Sequence, residues 1–281
     1  MQEYIPLFAI AFIAIIFATV QDLRTREVAN WLNFSLIAFA LAYRAFYAIS
    51  INNLEFFLFG LLGLGVMIVL GHAFYYMKAF AGGDAKLLMG LGVILPYQTY
   101  LHLILLPIFL IFTLFLAGAV YSLVYSIFLI SKKKKQFSKE FKKFSKNKKG
   151  LLIISTALFV IALGIGFYRN IAFLFAIIFL IPLVWIYTRS LDKCMIILMP
   201  PEKLTEGDWL EEEITIGKTK IKKSVHGLSF KEIQFLRKHK KKVLIKQGIP
   251  FVPAFLITII LMALFFLTSR QVLPFPFYLI S

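Results

Sequence analysis

Long apolar runs separated by short polar or basic turns make up most of the chain. They fall at 4–21, 31–50, 55–77, 84–97, 101–130, 151–168, 171–188 and 250–268. A helix needs about 20 apolar residues to cross a bilayer. By that measure 84–97 is short, and 101–130 is long enough to extend beyond the membrane or to kink at Pro107. Only Arg169 and Asn170 interrupt the pair 151–168 and 171–188. The pair reads as a tight helical hairpin, or as one helix that would hold Arg169 at mid-bilayer. Residues 189–249 break the pattern with short alternating stretches, Met195–Met199 and Glu213–Ile221, and with Gly207 and Gly217 as turn points. Ser229 with Glu232 three residues later predicts a capped helix running to about Lys242. The expected architecture is an all-α polytopic membrane protein, with about eight transmembrane helices (seven is the alternative count) and a small α+β cytoplasmic subdomain.

Composition agrees. Sixty per cent of the 281 residues are hydrophobic and 16% are charged, which excludes an ordinary soluble globule. A net charge of +17 invites a nucleic-acid reading. In a chain of spans, basic loops held at the cytoplasmic surface explain it more economically. Arg24 and Arg26, then Lys78 and Lys86, then ten lysines from Lys132 to Lys149, then the basic 189–249 segment occupy alternate loops. The intervening loops carry almost no Lys or Arg, so the positive-inside rule puts the N-terminus outside and the basic loops in the cytoplasm. The start Met1-Gln-Glu-Tyr lacks a basic leader region, so the first span is expected to be retained. The single Cys194 excludes an internal disulfide and a four-cysteine zinc site within one chain. The expected divisions are 1–130 as a transmembrane core, 131–150 as a basic loop, 151–188 as a hairpin, 189–249 as the subdomain, and 250–281 as a last span and tail. Phe137, Phe141 and Phe144 recur at helical spacing within the lysine run. That run reads as a solvated loop, or as an amphipathic helix on anionic headgroups or on a partner.

Candidate chemistry rests on two acids. The chain has four aspartates, and Asp22 and Asp84 each stand at the end of an apolar run, where a carboxylate is costly to keep. Two carboxylates brought together can share a proton and activate a water against a peptide bond. Asp22 precedes a basic turn with Arg24 and Arg26, then Asn30 as a candidate N-cap and Trp31 suited to the interface. Read blandly, it is a boundary acid balanced by those arginines. Asp84 follows Gly82 and Gly83, which permit close backbone approach and unusual dihedrals. Read blandly, it is a helix cap. Lys86 is expected to snorkel, as is Arg44 near the outer end of its span. His72 and His102 read as packing residues, and Gly60, Gly63 and Gly65 as close helix contacts.

These stretches carry a resemblance. Asp22-Leu-Arg-Thr-Arg-Glu-Val-Ala-Asn-Trp and Gly83-Asp84-Ala-Lys-Leu-Leu resemble the two motifs of the archaeal preflagellin and type IV prepilin peptidases, GxGD membrane aspartyl proteases. Leu204-Thr-Glu-Gly-Asp208-Trp and Lys246-Gln-Gly-Ile-Pro-Phe-Val-Pro-Ala-Phe255 are similar to the C-terminal region of archaeal members. The first glycine of GxGD is Ala81 here, which puts the local backbone geometry in question. The resemblance implies a multi-pass cytoplasmic-membrane endopeptidase with its active site on the cytoplasmic side. It would remove a short basic leader from archaellin- or pilin-like precursors, using Asp22 and Asp84 supported by Gly82, Gly83, Lys86, Arg26 and Asn30. Neither cofactor, metal nor nucleic acid is expected. Precursor proteins and anionic lipid headgroups are the expected partners, and a homo-oligomer is left open. The competing classes are a transporter or proton relay, and a non-catalytic pilus-assembly platform.

Overall fold

The computed structural model describes residues 2–166, 171–217, 219–224 and 227–269, with backbone alone at 171–175 and 269. The first elements are α1 (Ile5–Thr25), α2 (Asn30–Ser50), α3 (Glu55–Tyr76), α4 (Gly82–Leu91) and α5 (His102–Lys132). There follow α6 (Lys134–Asn147), α7 (Lys149–Gly166), α8 (Ile171–Cys194), β1 (Ile196–Met199), β2 (Trp209–Leu210), β3 (Ile214–Ile216) and β4 (Thr219–Ile221). Helix α9 (Phe230–Lys238), strand β5 (Val243–Lys246) and helix α10 (Val252–Ser269) complete the order. Among the described residues five helices are long and apolar enough to cross a membrane: Gln2–Thr25, Asn30–Ser50, Glu55–Tyr76, His102–Lys132 and Lys149–Gly166. Val252–Thr268 is a shorter apolar helix. The chain is a helical membrane protein. The expected turn at Arg169 and Asn170 and the tail beyond 269 lie outside the described residues.

The chain divides into two compact units, Met1–Leu123 with Pro250–Ser281, and Val124–Ile249. In the first, α1 buries one stripe, Leu7, Ala11, Ile15, Ala18 and Asp22, at the three-to-four spacing of a helix face. Helix α10 packs along α1, with the Phe8 and Phe266 rings 5.9 Å apart. Helix α4 departs from expectation. The run at 84–97 forms a helix of ten residues followed by irregular backbone, so it is not span-length. Glycines in α3 let it come close: a Cβ on Gly63 would sit 2.6 Å from the Gly92 carbonyl oxygen, and one on Gly71 would meet Met89 at 2.8 Å.

The irregular stretch after α4 is buried, with Val93, Ile94 and Leu95 fully enclosed. Carbonyls in such a place need donors, because an unpaired buried polar group is costly. Arg44 supplies them. Its Nε donates to the Val93 carbonyl at 2.7 Å, its Nη1 to Phe56 at 2.7 Å, and its Nη2 to Leu95 at 2.6 Å. The guanidinium also lies 4.8 Å from the Phe56 ring centroid, a cation–π arrangement. Tyr4 donates to the Tyr97 carbonyl at 2.8 Å. Arg44 is 0% exposed, which corrects the snorkelling expectation. It stands on the buried stripe Leu36, Ala40, Arg44, Ala48, and Gly60 opposite leaves the space it fills.

In the second unit the lysine run is a helix. Helix α6 sets its phenylalanines on α8, Phe137 against Tyr187 and Phe144 against Trp185, with ring centroids 5.8 and 6.5 Å apart. The run is thus neither a solvated loop nor a helix with its apolar face on headgroups: that face packs on α8, and its lysines face outward, Lys139, Lys142 and Lys146 among them. Strands β1, β5 and β2 form an antiparallel sheet in the order β1-β5-β2, and β3 pairs with β4 as a hairpin with Gly217 at φ +58° between them. Glu232 accepts from the Ser229 N–H at 2.8 Å and from its hydroxyl at 2.7 Å, so the predicted start of α9 holds, while the helix ends earlier than expected, at Lys238.

Replacing Arg44 by Met removes one donor from each of three buried carbonyls, of which Leu95 keeps the Tyr97 N–H, and is expected to cost about 3 kcal/mol. The check is a thermal melt of the purified protein in detergent, in which Arg44→Met lowers Tm well below that of an exposed Arg24→Met control.

Candidate active site

Asp22 lies in the last turn of α1 and continues that helix's buried stripe; it is 7% exposed. The helix stops at Arg26, which takes the left-handed conformation at φ 63° and bonds its N–H to the Asp22 carbonyl at 3.0 Å. Gln21 pins the following turn by accepting the Ala29 N–H at 3.0 Å. Asn30 is not the N-cap. Ala29 holds that position, and the Asn30 side chain accepts a hydrogen bond from Lys86 at 2.6 Å. Lys86 therefore reaches back to the first motif and does not simply snorkel to the surface.

Asp84 occupies the third position of α4, behind Ala81 as N-cap. Ala81 is extended, at φ −69° and ψ 163°, a conformation any residue adopts. Alanine at the first glycine of the motif is thus free of strain. Neither Gly82 nor Gly83 has positive φ, contrary to the dihedral freedom expected of them, and both are helical. Gly83 is needed for space: a Cβ there would sit 3.3 Å from the Val28 Cβ. At Gly82 the nearest atom, on the Tyr75 ring, would be 3.7 Å away, an ordinary contact.

The turn after α1 and the start of α4 thus meet twice, through Val28 on Gly83 and through Asn30 with Lys86. The two acids come together across that junction, close enough for the Asp22 charge to act on Asp84. Asp84 is half-buried, and the backbone of Ala81 hydrogen-bonds its carboxylate. Asp22 has a further partner that the sequence reading missed. Its Oδ2 accepts the Val252 N–H, at the first residue of α10, at 3.0 Å, and the Phe251 backbone and the Arg26 charge act on it as well. The signal was available in Pro250 and Pro253, which bracket a helix start. Two further polar groups of α1 and α2 escaped notice. The Thr19 hydroxyl and the Asn33 amide are buried without a hydrogen-bond partner among the described residues. Carboxylates within reach of each other's charge in a poorly solvated place do not both ionise readily.

Other candidates are occupied structurally. His72 bonds the Ile68 carbonyl at 2.8 Å, and His102 accepts the Gln98 N–H at 3.1 Å. Among the described residues no three His, Cys, Asp or Glu side chains gather to ligate a metal ion. A cleft of about 410 Å³ in the second unit is lined by Arg189, Lys193, Lys246, Asp192 and Glu211. Its charges are largely paired, Lys193 with Glu211 at 2.6 Å and Lys246 with Asp192 at 2.9 Å. The Lys193 bond holds the Glu211 carboxyl below its ordinary range. Asp208 is pushed upward by burial, although it accepts the Thr205 N–H at 2.9 Å to close a turn.

Residues 9–128, which include both aspartates, match the type IV leader peptidase family. The chain is also similar to the preflagellin peptidases of Methanocaldococcus jannaschii and Methanococcus maripaludis, each 29% identical over 96 residues. It is 22% identical over 93 residues to the preflagellin peptidase of Methanococcus voltae. The first match covers 34% of this chain and 41% of its relative, and the other two cover 40% of theirs. The chain thus spans about two-fifths of the length of the curated relatives it matches. No solved structure matches it.

The glycine geometry separates two substitutions. Gly82→Ala, in open helical backbone, should leave stability within about 1 kcal/mol of wild type or raise it. Gly83→Val, which must displace Val28, should cost about 1–3 kcal/mol. Paired thermal melts in detergent check the difference in sign.

Proposed function

We propose that the chain is a membrane-embedded aspartyl endopeptidase that removes the short basic leader from archaellin- or pilin-like precursors at the cytoplasmic face. The observation that carries this reading is the meeting of Asp22 and Asp84 in a segment that matches the type IV leader peptidase family. The names of the similar preflagellin peptidases support the same substrate class. In the proposed reaction the ionised carboxylate takes a proton from water as the water oxygen adds to the scissile carbonyl carbon. The protonated carboxyl gives its proton to the carbonyl oxygen. The C–N bond then breaks as the amine collects a proton, and the pair regains its starting state.

The charge pattern supports the proposed siting. Basic loops flank both acids, so the scissile bond would be met where a basic leader leaves the membrane. The outward lysines of α6, joined directly to the apolar helices α5 and α7, favour anionic headgroups as a second partner. The fuller count of about eight spans, with 189–249 in the cytoplasm, belongs to the same proposal. It requires α8, α10 and the short α4 with its irregular continuation to cross beside the five candidates.

The test is leader removal from a basic-leader pilin-type precursor in membranes. Asparagine at 22 still offers an oxygen to the Val252 N–H, so Asp22→Asn removes the charge without opening the start of α10. Asp22→Asn and Asp84→Asn should each lower cleavage by at least about 10³-fold while insertion and expression stay normal. Cleavage surviving in either variant overturns the two-carboxylate mechanism.

A further inference from the structure

The amide at the start of α10 is aimed at one member of the pair. We propose that the first turn of α10 holds Asp22 as the ionised carboxylate, which makes Val252 a positioning residue and leaves the shared proton on Asp84. This assignment rests on the aspartyl endopeptidase reading and divides the two roles that reading leaves undivided.

The two acids differ in the donors they receive. Asp22 Oδ2 takes the buried Val252 N–H at 3.0 Å, and the Phe251 backbone bonds the same carboxylate. Both amides belong to the start of α10, where unpaired N–H groups and the aligned peptide dipoles favour an anion. Arg26 adds a nearby positive charge. Asp84 receives one backbone bond, from Ala81, and its neighbour Lys86 is committed to Asn30. Asp84 too stands in a first helical turn, and the C-terminal end of α1 opposes a charge on Asp22, so it is the extra amide and the arginine that decide the balance for Asp22. Hydrogen bonds donated to a carboxylate favour its charged form.

The groups facing Asp22 are few. From α4 comes Asp84, and from the turn after α1 comes Arg26. Val252–Ser269 contains no ionisable side chain. From α2, Tyr43, Arg44 and Tyr47 sit at the opposite end of α1, beside Glu3, Tyr4 and Phe56. With this arrangement Asp22 is the base that takes the proton of the attacking water, and that proton later passes to the leaving amine. Asp84 donates to the carbonyl oxygen and recovers its proton as the new C=O forms. Docking of α10 thereby sets the charge state of the pair, although α10 contributes no side chain to the reaction.

The experiment measures leader cleavage by the purified full-length chain across pH, using a basic-leader pilin-type precursor. Val252→Pro removes the N–H at a helix position that tolerates proline. Val252→Ala keeps the N–H and removes only side-chain packing. The acid limb of the Val252→Pro profile should move to higher pH by about one unit. Val252→Ala should lower the rate with the limb unmoved. An unmoved limb in Val252→Pro beside an active wild type overturns the assignment alone, as does an equal displacement in both variants. A wild-type chain that does not cleave overturns the endopeptidase reading with it. If Val252→Pro does not fold, infrared spectra decide: the protonated-carboxyl band of the wild type at neutral pH should be lost in Asp84→Asn. Its retention there would put the proton on Asp22 and overturn the proposal.

Discussion

Arg44 makes the rest of the first unit feasible. A helix that stops after ten residues in an apolar interior leaves carbonyls with no water to turn to, and bare carbonyls there are too costly to keep. Two of the carbonyls concerned, those of Val93 and Leu95, accept from one guanidinium, whose planar fork at once reaches the Phe56 oxygen of α3. A lysine, with a single ammonium centre, could not span the same three sites. The chain can therefore end α4 early, turn within the bundle and start α5, and α4 can present its first turn where α1 finishes.

That placement governs the site. Asp84 is fixed by the first turn of α4, and Asp22 by the last turn of α1 together with the start of α10. Close packing at Gly83 lets the two turns touch, and Lys86 ties them by a hydrogen bond to Asn30. Each acid is thus set by backbone geometry more than by side-chain neighbours, an economical way to hold charge in an apolar surrounding. The amides that receive Asp22 are those a helix start must satisfy in any case. One interaction both stabilises α10 and orders a carboxylate.

Much of this was legible in the sequence, and the failures have physical causes. Apolar runs gave the long helices because burial and span length leave a strong periodic trace. Asp22 and Asp84 stood out because charge at the end of an apolar run is rare. Asp22 also continues the Leu7, Ala11, Ile15, Ala18 stripe, so its burial could have been read from spacing. Arg44 was misread for the converse reason: a charge near a span end was assigned to the surface although it sat in the Leu36, Ala40, Ala48 stripe. The carbonyls it serves, and the Val252 amide that serves Asp22, are backbone groups. Side-chain identity carries no direct record of them, beyond the helix start that Pro250 and Pro253 mark. Gly82 and Gly83 were credited with unusual dihedrals when Gly83 supplies space, because a glycine in sequence does not reveal which of its two properties is used. The lysine run was legible as an amphipathic helix, but the surface its phenylalanines meet, on α8, lies about 45 residues further along and leaves no local trace.

The central claim is that the turn after α1 and the start of α4 meet, so that Asp22 and Asp84 share one site. Its most direct test is a disulfide between them, made by Val28→Cys and Gly83→Cys in a chain whose own Cys194 is replaced by Ser. A Cβ at 83 would lie 3.3 Å from the Cβ of residue 28, close to the separation of about 3.8 Å that a disulfide requires. Rapid cross-linking in membranes under mild oxidation is the expected result. Two thiols that stay reduced and are alkylated separately would mean that the motifs stand apart, and the shared carboxylate site would fall with them.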